Sequence, residues 1–353
     1  MKLISGGMDS AIPLSGTGAE MPLSILVCDR RVPALAGTRP TVATVLAELG
    51  HDVAMAEDGP VDLASCDVIL LYGNPGYFPK LRRQLLSTPK ERRPLVAALH
   101  AEPLPPPRAS GLPRWSGLNL AEVAKILLRD WRATDIYSNA FKLRRMMREG
   151  TIDLLFATYA EKYEYAREQG YECWLTPYGY HPSFGRLLGL DRDVDVLFLG
   201  ETRPRRRRRL LNQLRQAGIE VTVRGSWKNR HEGLWGEDRT RFLNRTKIIV
   251  HLQRYPGKLA PKRFFLAMAN GAMVISEPAY RPEPFVDGEH YVSAPIERMP
   301  DVIRHYLAHT GERERITAAA HRLVTEEITF VRSMERMLDV IRSRLKKGEA
   351  AAR

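Results

Sequence analysis

The chain has 353 residues, 44% hydrophobic and 27% charged, a globular composition that is too long for one ordinary domain and excludes fibrous and disordered classes. Lys and Arg number 54 against 41 Asp and Glu, and the net charge of +13 points to anionic partners: nucleic acid, an acidic membrane surface or phosphate-bearing small molecules. Apolar runs such as Val68–Leu71 and Val196–Leu199 fall far short of the roughly 20 residues of a membrane span, and three scattered cysteines (Cys28, Cys66, Cys173) form neither a disulfide framework nor a zinc cluster.

Residues 1–21 are rich in Gly, Ser and Met, lack the apolar stretch of a secretory signal and read as a loose leader; a reducing cytoplasm fits. From Leu23 an alternation of strands and helices begins. Ser24–Cys28, Asp52–Ala56, Asp67–Tyr72, Pro94–Leu99, Asp153–Ala157 and Cys173–Thr176 read as short apolar strands. Thr41–Leu49, stopped by Gly50, and Tyr159–Gln169, stopped by Gly170, read as helices. The proline-rich stretch Glu102–Arg108 reads as an extended loop. A second alternation follows a boundary near Pro182–Asp193: strand Val196–Leu199, helix Arg206–Ala217, strand Glu220–Val223, a Gly/Trp-rich loop to Asp238, a helix from Arg239, strand Lys247–Leu252, helix Arg263–Ala269 and strand Ala272–Ser276. From Met299 the tail reads as helical in two or three pieces. Strands alternating with helices imply parallel sheets covered on both faces. The expected fold is α/β, with two Rossmann-like doubly wound domains facing across a cleft. The boundaries are 22–185 for the first domain, 186–325 for the second and 326–353 for a C-terminal helix. Ligands of such sheets bind at the carboxyl ends of the strands.

Three segments stand at such ends. Gly200 closes the strand Val196–Leu199, where a glycine lets backbone approach a ligand and the next helix N-terminus offers free N–H groups; Arg203 and Arg205 add charge. Arg254, Lys258, Lys262 and Arg263 lie in the loop and first helical turn after the strand Lys247–Leu252, with Pro261 at a position that tolerates it. Cations there oppose the helix dipole unless an anion lies between them. The third segment, Ser276–Val292, brings Glu277, Glu283, Asp287 and Glu289, carboxylates suited to sugar hydroxyls, or an Asp-Gly turn with solvated acids. The run Arg205–Arg209 reads most simply as a solvated helix face. Gly16-Thr-Gly18 precedes the first strand and is not a dinucleotide fingerprint.

The order Arg263–Gly271, Met273–Ser276, Phe285-Val-Asp-Gly-Glu289, Tyr306-Leu-Ala-His309, Glu312-Arg-Glu-Arg-Ile316 and the closing Ile328-Thr-Phe330 resembles the C-terminal half of CgeB-like, group-1 glycosyltransferases of GT-B fold, over about residues 195–340. The resemblance implies a nucleotide-diphosphate sugar as donor substrate in the C-terminal domain, with no separate cofactor, and an acceptor held by the N-terminal domain: a small molecule, a glycan or a modified nucleic acid. It also implies that the leaving diphosphate is neutralised by protein cations and helix N-termini without a metal. Gly200, Arg203, Arg254, Lys258, Lys262 and Arg263 are the expected donor residues. Related enzymes carry a Glu-x7-Glu pair whose second member holds the donor ribose; Lys258 and Leu266 stand at those places here, which moves the ribose or sugar contact to Glu277, Glu283 or Glu289. An inverting reaction needs a base for the acceptor proton, and His100 and Glu102, after the strand Pro94–Leu99, are the candidates. The alternative is a non-catalytic GT-B-like protein that binds nucleic acid or glycan, with Trp227, Trp235, Tyr255 and Tyr280 as stacking groups.

Overall fold

A computed structural model of the chain describes residues 21–30, 42–112, 136–225 and 234–352. The expected leader lies almost wholly outside these residues, and Trp227 and much of the Gly/Trp-rich loop lie outside them too. Two parallel sheets organise the rest. The first contains β1 (Ser24–Asp29), β2 (Asp52–Ala56), β3 (Val68–Gly73), β4 (Leu95–His100), β5 (Leu154–Ala157) and β6 (Cys173–Leu175), in the order β2-β1-β3-β4-β5-β6. The second contains β7 (Val194–Leu199), β8 (Thr222–Arg224), β9 (Thr246–His251), β10 (Met273–Ser276) and β11 (Val292–Ser293), in the order β11-β10-β9-β7-β8. Strand β3 is buried along its whole length, which is why Val68–Tyr72 reads as an unbroken apolar run instead of an alternation.

The helices among the described residues are α1 (Val42–Glu48), α2 (Pro79–Ser87), α3 (Ile136–Arg148), α4 (Ala160–Glu168), α5 (Arg205–Gln216), α6 (Gly236–Asn244), α7 (Pro261–Ala269), α8 (Met299–Ala308), α9 (Thr310–Arg322) and α10 (Phe330–Ala352). None is long and apolar enough to cross a membrane. Helices α2 and α3 and the two-residue strand β11 were not expected from the sequence. Only Leu81 and Leu85 of α2 are buried among its charged residues, so its apolar stripe is narrow. Strand β8 runs Thr222–Arg224, displaced from the expected 220–223, because Ile219 and Val221 pack as core residues before the ladder begins.

Each sheet reverses its winding between its first and third strands, at β1/β3 and at β7/β9. Behind the reversal the two domains share one apolar core. An aromatic spine runs through it: Phe330 to Tyr178 (5.1 Å between ring centroids), Tyr178 to Phe184 (6.1 Å), Phe184 to Phe265 (6.4 Å) and Phe265 to Phe285 (5.6 Å). The chain enters α10 on the N-terminal domain. Tyr180 N–H donates to Ile328 C=O at 2.7 Å, and Phe330 N–H donates to Tyr180 C=O at 2.8 Å. Further along α10, Arg344 pairs with Glu172 at 2.8 Å.

Candidate active site

The carboxyl ends of β3, β4 and β5 form a row, with Gly73 opposite His100 and His100 opposite Ala157. In the second sheet His251 ends β9 opposite Ser276 of β10, and Leu199 ends β7 opposite Arg224. The two rows face one another, as the side chains that cross between the domains show. Lys258, in the loop after β9, pairs with Glu161 in the first turn of α4. Lys262 donates to the Tyr72 hydroxyl at the end of β3 (3.1 Å) and lies 4.5 Å from the centre of the Tyr178 ring. Tyr280, after β10, donates to Glu164 at 2.8 Å.

The donor side of this cleft is built around Arg263. Its guanidinium packs so closely on Gly200 that a Cβ at residue 200 would lie 2.5 Å from Nη2. Gly200 has φ +151°, a conformation that side-chain-bearing residues rarely adopt, so both backbone and space demand glycine there. The Arg263 and Arg207 guanidinium carbons stand 5.8 and 5.7 Å from the centre of the same Phe198 ring. Arg207 is buried and donates to the carbonyls of Leu252 (3.0 Å) and Glu201 (3.2 Å). Arg206 makes a two-pronged contact with Glu277 and also reaches Gln253 C=O at 2.7 Å. Arg263 itself keeps one buried donor, Nη1, without a partner. Burial pushes its pKa down to about 10, and that of Arg207, crowded also by Arg263, Arg254 and Arg206, to about 9; both remain charged at neutral pH. The N-terminus of α7 adds to this field, since Ala260 supplies no side-chain cap and no acid lies in the first turn. A buried, unpartnered cationic donor is costly unless a ligand accepts from it.

On the acceptor side, His100 is 1% exposed and neither ring nitrogen has a hydrogen-bond partner. Burial, with the Lys162 ammonium nearby, holds its pKa well below the ordinary histidine value, so the imidazole is neutral. Lys162 is also buried; it donates to His100 C=O (3.2 Å) and Thr158 Oγ1 (3.1 Å) and lies over the Tyr159 ring. Glu102 is half-buried, and its charge acts on Lys162. Across the cleft His251 is buried and neutral, its Nδ1 within 3.0 Å of Ser276 Oγ and its Nε2 bare. Bare buried polar atoms thus gather along both rows of strand ends: His100, Glu161, His251 and Arg263. A cavity of about 260 Å³ bounded by Thr202, Arg208 and Arg215 lies between α5 and β8, away from these groups and from the interdomain contacts.

Several expected site residues stand elsewhere. Lys258 lies in the cleft, but its ammonium is taken up by Glu161, so it ties the domains together and is not free for a diphosphate. Glu277 stands at the end of β10 with its carboxylate already filled by Arg206 and the Gln253 N–H (2.8 Å). Glu283 and Glu289 are exposed, the first beside Arg281 at 3.3 Å, because the loop that carries them faces solvent on either side of the buried Phe285. Arg203 is exposed and paired with Glu201 at 3.0 Å. Arg254 is exposed over the Tyr255 ring. The solvated-face reading of Arg205–Arg209 holds for Arg205, Arg208 and Arg209 only; Arg206 and Arg207 turn inward, since α5 packs its Leu210, Leu211 and Leu214 stripe on the sheet and its first turn overhangs the strand ends. No local pattern marks Glu161, Lys162, Tyr72 or Tyr178 as site residues. His251, the polar end of the apolar run Ile248–Val250, carries the one local signal among these residues.

Residues 205–339 match the family model described as glycosyl transferase-like. No curated protein sequence matches the chain. Among solved structures, the chain is similar to sucrose-phosphate synthase from Thermosynechococcus elongatus (TM-score 0.63, 12% identity, 92% of this chain and 99% of that one). It is also similar to HepE of Anabaena, solved in complex with UDP and glucose (TM-score 0.60, 12% identity, 91% and 100%). A third is AviGT4, a glycosyltransferase involved in avilamycin A biosynthesis (TM-score 0.56, 16% identity, 92% and 99%). The architecture is therefore the GT-B fold of two Rossmann-like domains. Within that fold, residues 205–339 carry a glycosyl transferase-like domain.

Proposed function

We propose that the protein transfers a glycosyl group from a nucleotide-diphosphate sugar to an acceptor seated on the N-terminal domain. The observation that carries this reading is the buried guanidinium of Arg263, which keeps Nη1 bare while pressed against Gly200 at the β7/β9 reversal. That is where doubly wound sheets take ligands, and a diphosphate would accept from this donor and from the uncapped N-terminus of α7. HepE, which shares the fold, was solved with UDP and with UDP-glucose. Arg206 and Arg207 strengthen the positive field without touching the ligand in their present pairings. As the glycosyl bond breaks, negative charge grows on the leaving diphosphate, and fixed cations aimed at that charge stabilise it more than they stabilise the bound donor, with no metal in that role. Lys262, held by Tyr72 and the Tyr178 ring, brings a further cation beside Arg263.

In an inverting reaction His100 is the group placed to take the acceptor proton: it is neutral, ends β4 and has both nitrogens bare. Glu102, two residues on, lies in the same field. Calorimetric titration of nucleoside diphosphates into the wild type and Arg263→Ala tests the donor site. Loss of one charge-assisted hydrogen bond is expected to weaken binding by about 1–3 kcal/mol. Unchanged affinity for every diphosphate that the wild type binds would remove Arg263 from the site.

A further inference from the structure

Glu161 has no place in the reading above, yet it is among the most deeply buried charged groups of the cleft. It is 2% exposed, in the first turn of α4 beyond the end of β5, on the N-terminal domain's side. One carboxylate oxygen, Oε1, takes the Lys258 ammonium from the other domain; the second, Oε2, is buried with no partner. The adjacent Lys162 Nζ donates to His100 C=O and Thr158 Oγ1 and makes no hydrogen bond to it. A buried carboxylate oxygen left bare calls for a donor, and an anionic ligand group is the wrong kind for it.

We propose that Glu161 Oε2 accepts a hydrogen bond from a hydroxyl of the sugar carried by the donor, making Glu161 a sugar-binding residue supplied by the opposite domain. The inference rests on the donor reading above and deepens it. Charge sorts the two ends of such a donor. Arg263, with its bare cationic N–H, suits the diphosphate. Glu161 and Lys258 together are neutral as a pair and suit an uncharged polyol. Lys258 and Arg263 are five positions apart, at either end of the passage from the β9 loop into α7, and the charges of Lys258 and of Lys262, the neighbour of Arg263, both act on Lys162 beside Glu161. Lys258 neutralises Glu161 and orients the carboxylate so that Oε2 alone is left for the ligand. The sugar subsite also exists only while the domains are together, because its acid and its cation come from different domains.

The test compares bare and sugar-bearing ligands. UDP, GDP, ADP, CDP and TDP, each with its glucose, galactose, mannose and N-acetylglucosamine conjugates where these exist, are titrated calorimetrically into the wild type, Glu161→Gln and Glu161→Asp. In Glu161→Gln the amide oxygen turns to Lys258 and an N–H₂ faces the ligand. The expected result is a tenfold or greater loss of affinity for the conjugate the wild type prefers, with affinity for the bare diphosphate within about twofold of wild type. Glu161→Asp keeps the charge opposite Lys258 and serves where the glutamine variant does not fold; it is expected to show the same selective loss. Equal losses for bare and sugar-bearing ligands would make Glu161 a structural strut and overturn the proposal, as would no loss at all. A wild type that binds every conjugate no differently from its bare diphosphate would overturn it too. A wild type that binds no diphosphate would instead overturn the donor reading, and this inference with it.

Discussion

Arg263 stands in the first turn of a helix whose dipole disfavours cations there, and Pro261 and Lys262 precede it with no acid to compensate. That conflict between local rule and residue was readable in the sequence, and the structure gives its physical form as a buried donor with nothing to donate to. Gly200 was readable for a related reason, as a lone glycine directly after an apolar strand. Glu161 and Lys162 were not readable, because adjacent residues on a helix ordinarily point to different surroundings, and nothing in the local pattern says that a second domain covers both. Lys258 and Glu277 were legible as cleft residues but not in their actual roles, since pairing partners from 97 and 71 positions away decide what their charges do. At this scale the sharpest prediction concerns His100. His100→Ala is expected to leave donor affinity unchanged and to lower turnover by about 10²–10⁴ in an inverting reaction, the usual contribution of a general base. Steady-state rates equal to wild type would strike His100 from the mechanism.

Elements leave a clearer trace in the sequence than the partners they pack against. Most expected strands lie within two residues of the observed ones, because strands buried on both faces leave unbroken apolar runs. Helix α2 buries only Leu81 and Leu85 amid its charged residues, so its sequence offers little apolar period, whereas α3 buries Ile136, Ala140, Leu143 and Met146 at a helical spacing that is legible in the sequence. The junction of Gly179 with the start of α10 was invisible, since it joins residues about 150 apart. A Cβ at residue 179 would lie 2.3 Å from the Thr329 carbonyl carbon and 2.4 Å from the Phe330 nitrogen, both backbone atoms that cannot swing aside. Gly179→Ala is therefore expected to destabilise the fold by about 3 kcal/mol, in the range of overpacking against a rigid neighbour, by prying α10 from the N-terminal domain. A thermal midpoint equal to wild type would show that the junction yields freely.

For the molecule as a whole, the expected architecture of two doubly wound domains meeting at their strand ends is what the structure shows, and the shared aromatic core explains how the domains keep their registration. The arginines that begin α5 divide between exposed ones (Arg205, Arg208, Arg209) and an inward one, Arg207, which joins Arg263 at the Phe198 ring. The two buried histidines facing the cleft make stability depend on pH in a defined sense. Their folded pKa values lie well below the ordinary 6.5, so below that pH the unfolded chain binds more protons than the folded one. Their contribution is complete above about pH 6.5 and is lost as the pH falls, by at most about 1.4 kcal/mol per pH unit for each histidine. Burial of Glu161 raises its pKa and acts in the opposite sense above 4.5. The comparison that isolates the effect is the thermal midpoint of wild type against His251→Asn between pH 7 and 5, where the variant is expected to show the shallower decline. Identical declines would mean that His251 is not held neutral.

The most direct measurement is the thermal midpoint of the wild-type protein with and without a nucleoside diphosphate, across UDP, GDP, ADP, CDP and TDP, each set beside its monophosphate. A ligand that binds only the folded state raises the midpoint by mass action. The expected result is a clear rise with at least one diphosphate and a smaller rise with the matching monophosphate, because Arg263 and the α7 N-terminus act on the second phosphate. No rise with any of the five, or equal rises for monophosphate and diphosphate, would contradict a diphosphate site at Gly200 and Arg263.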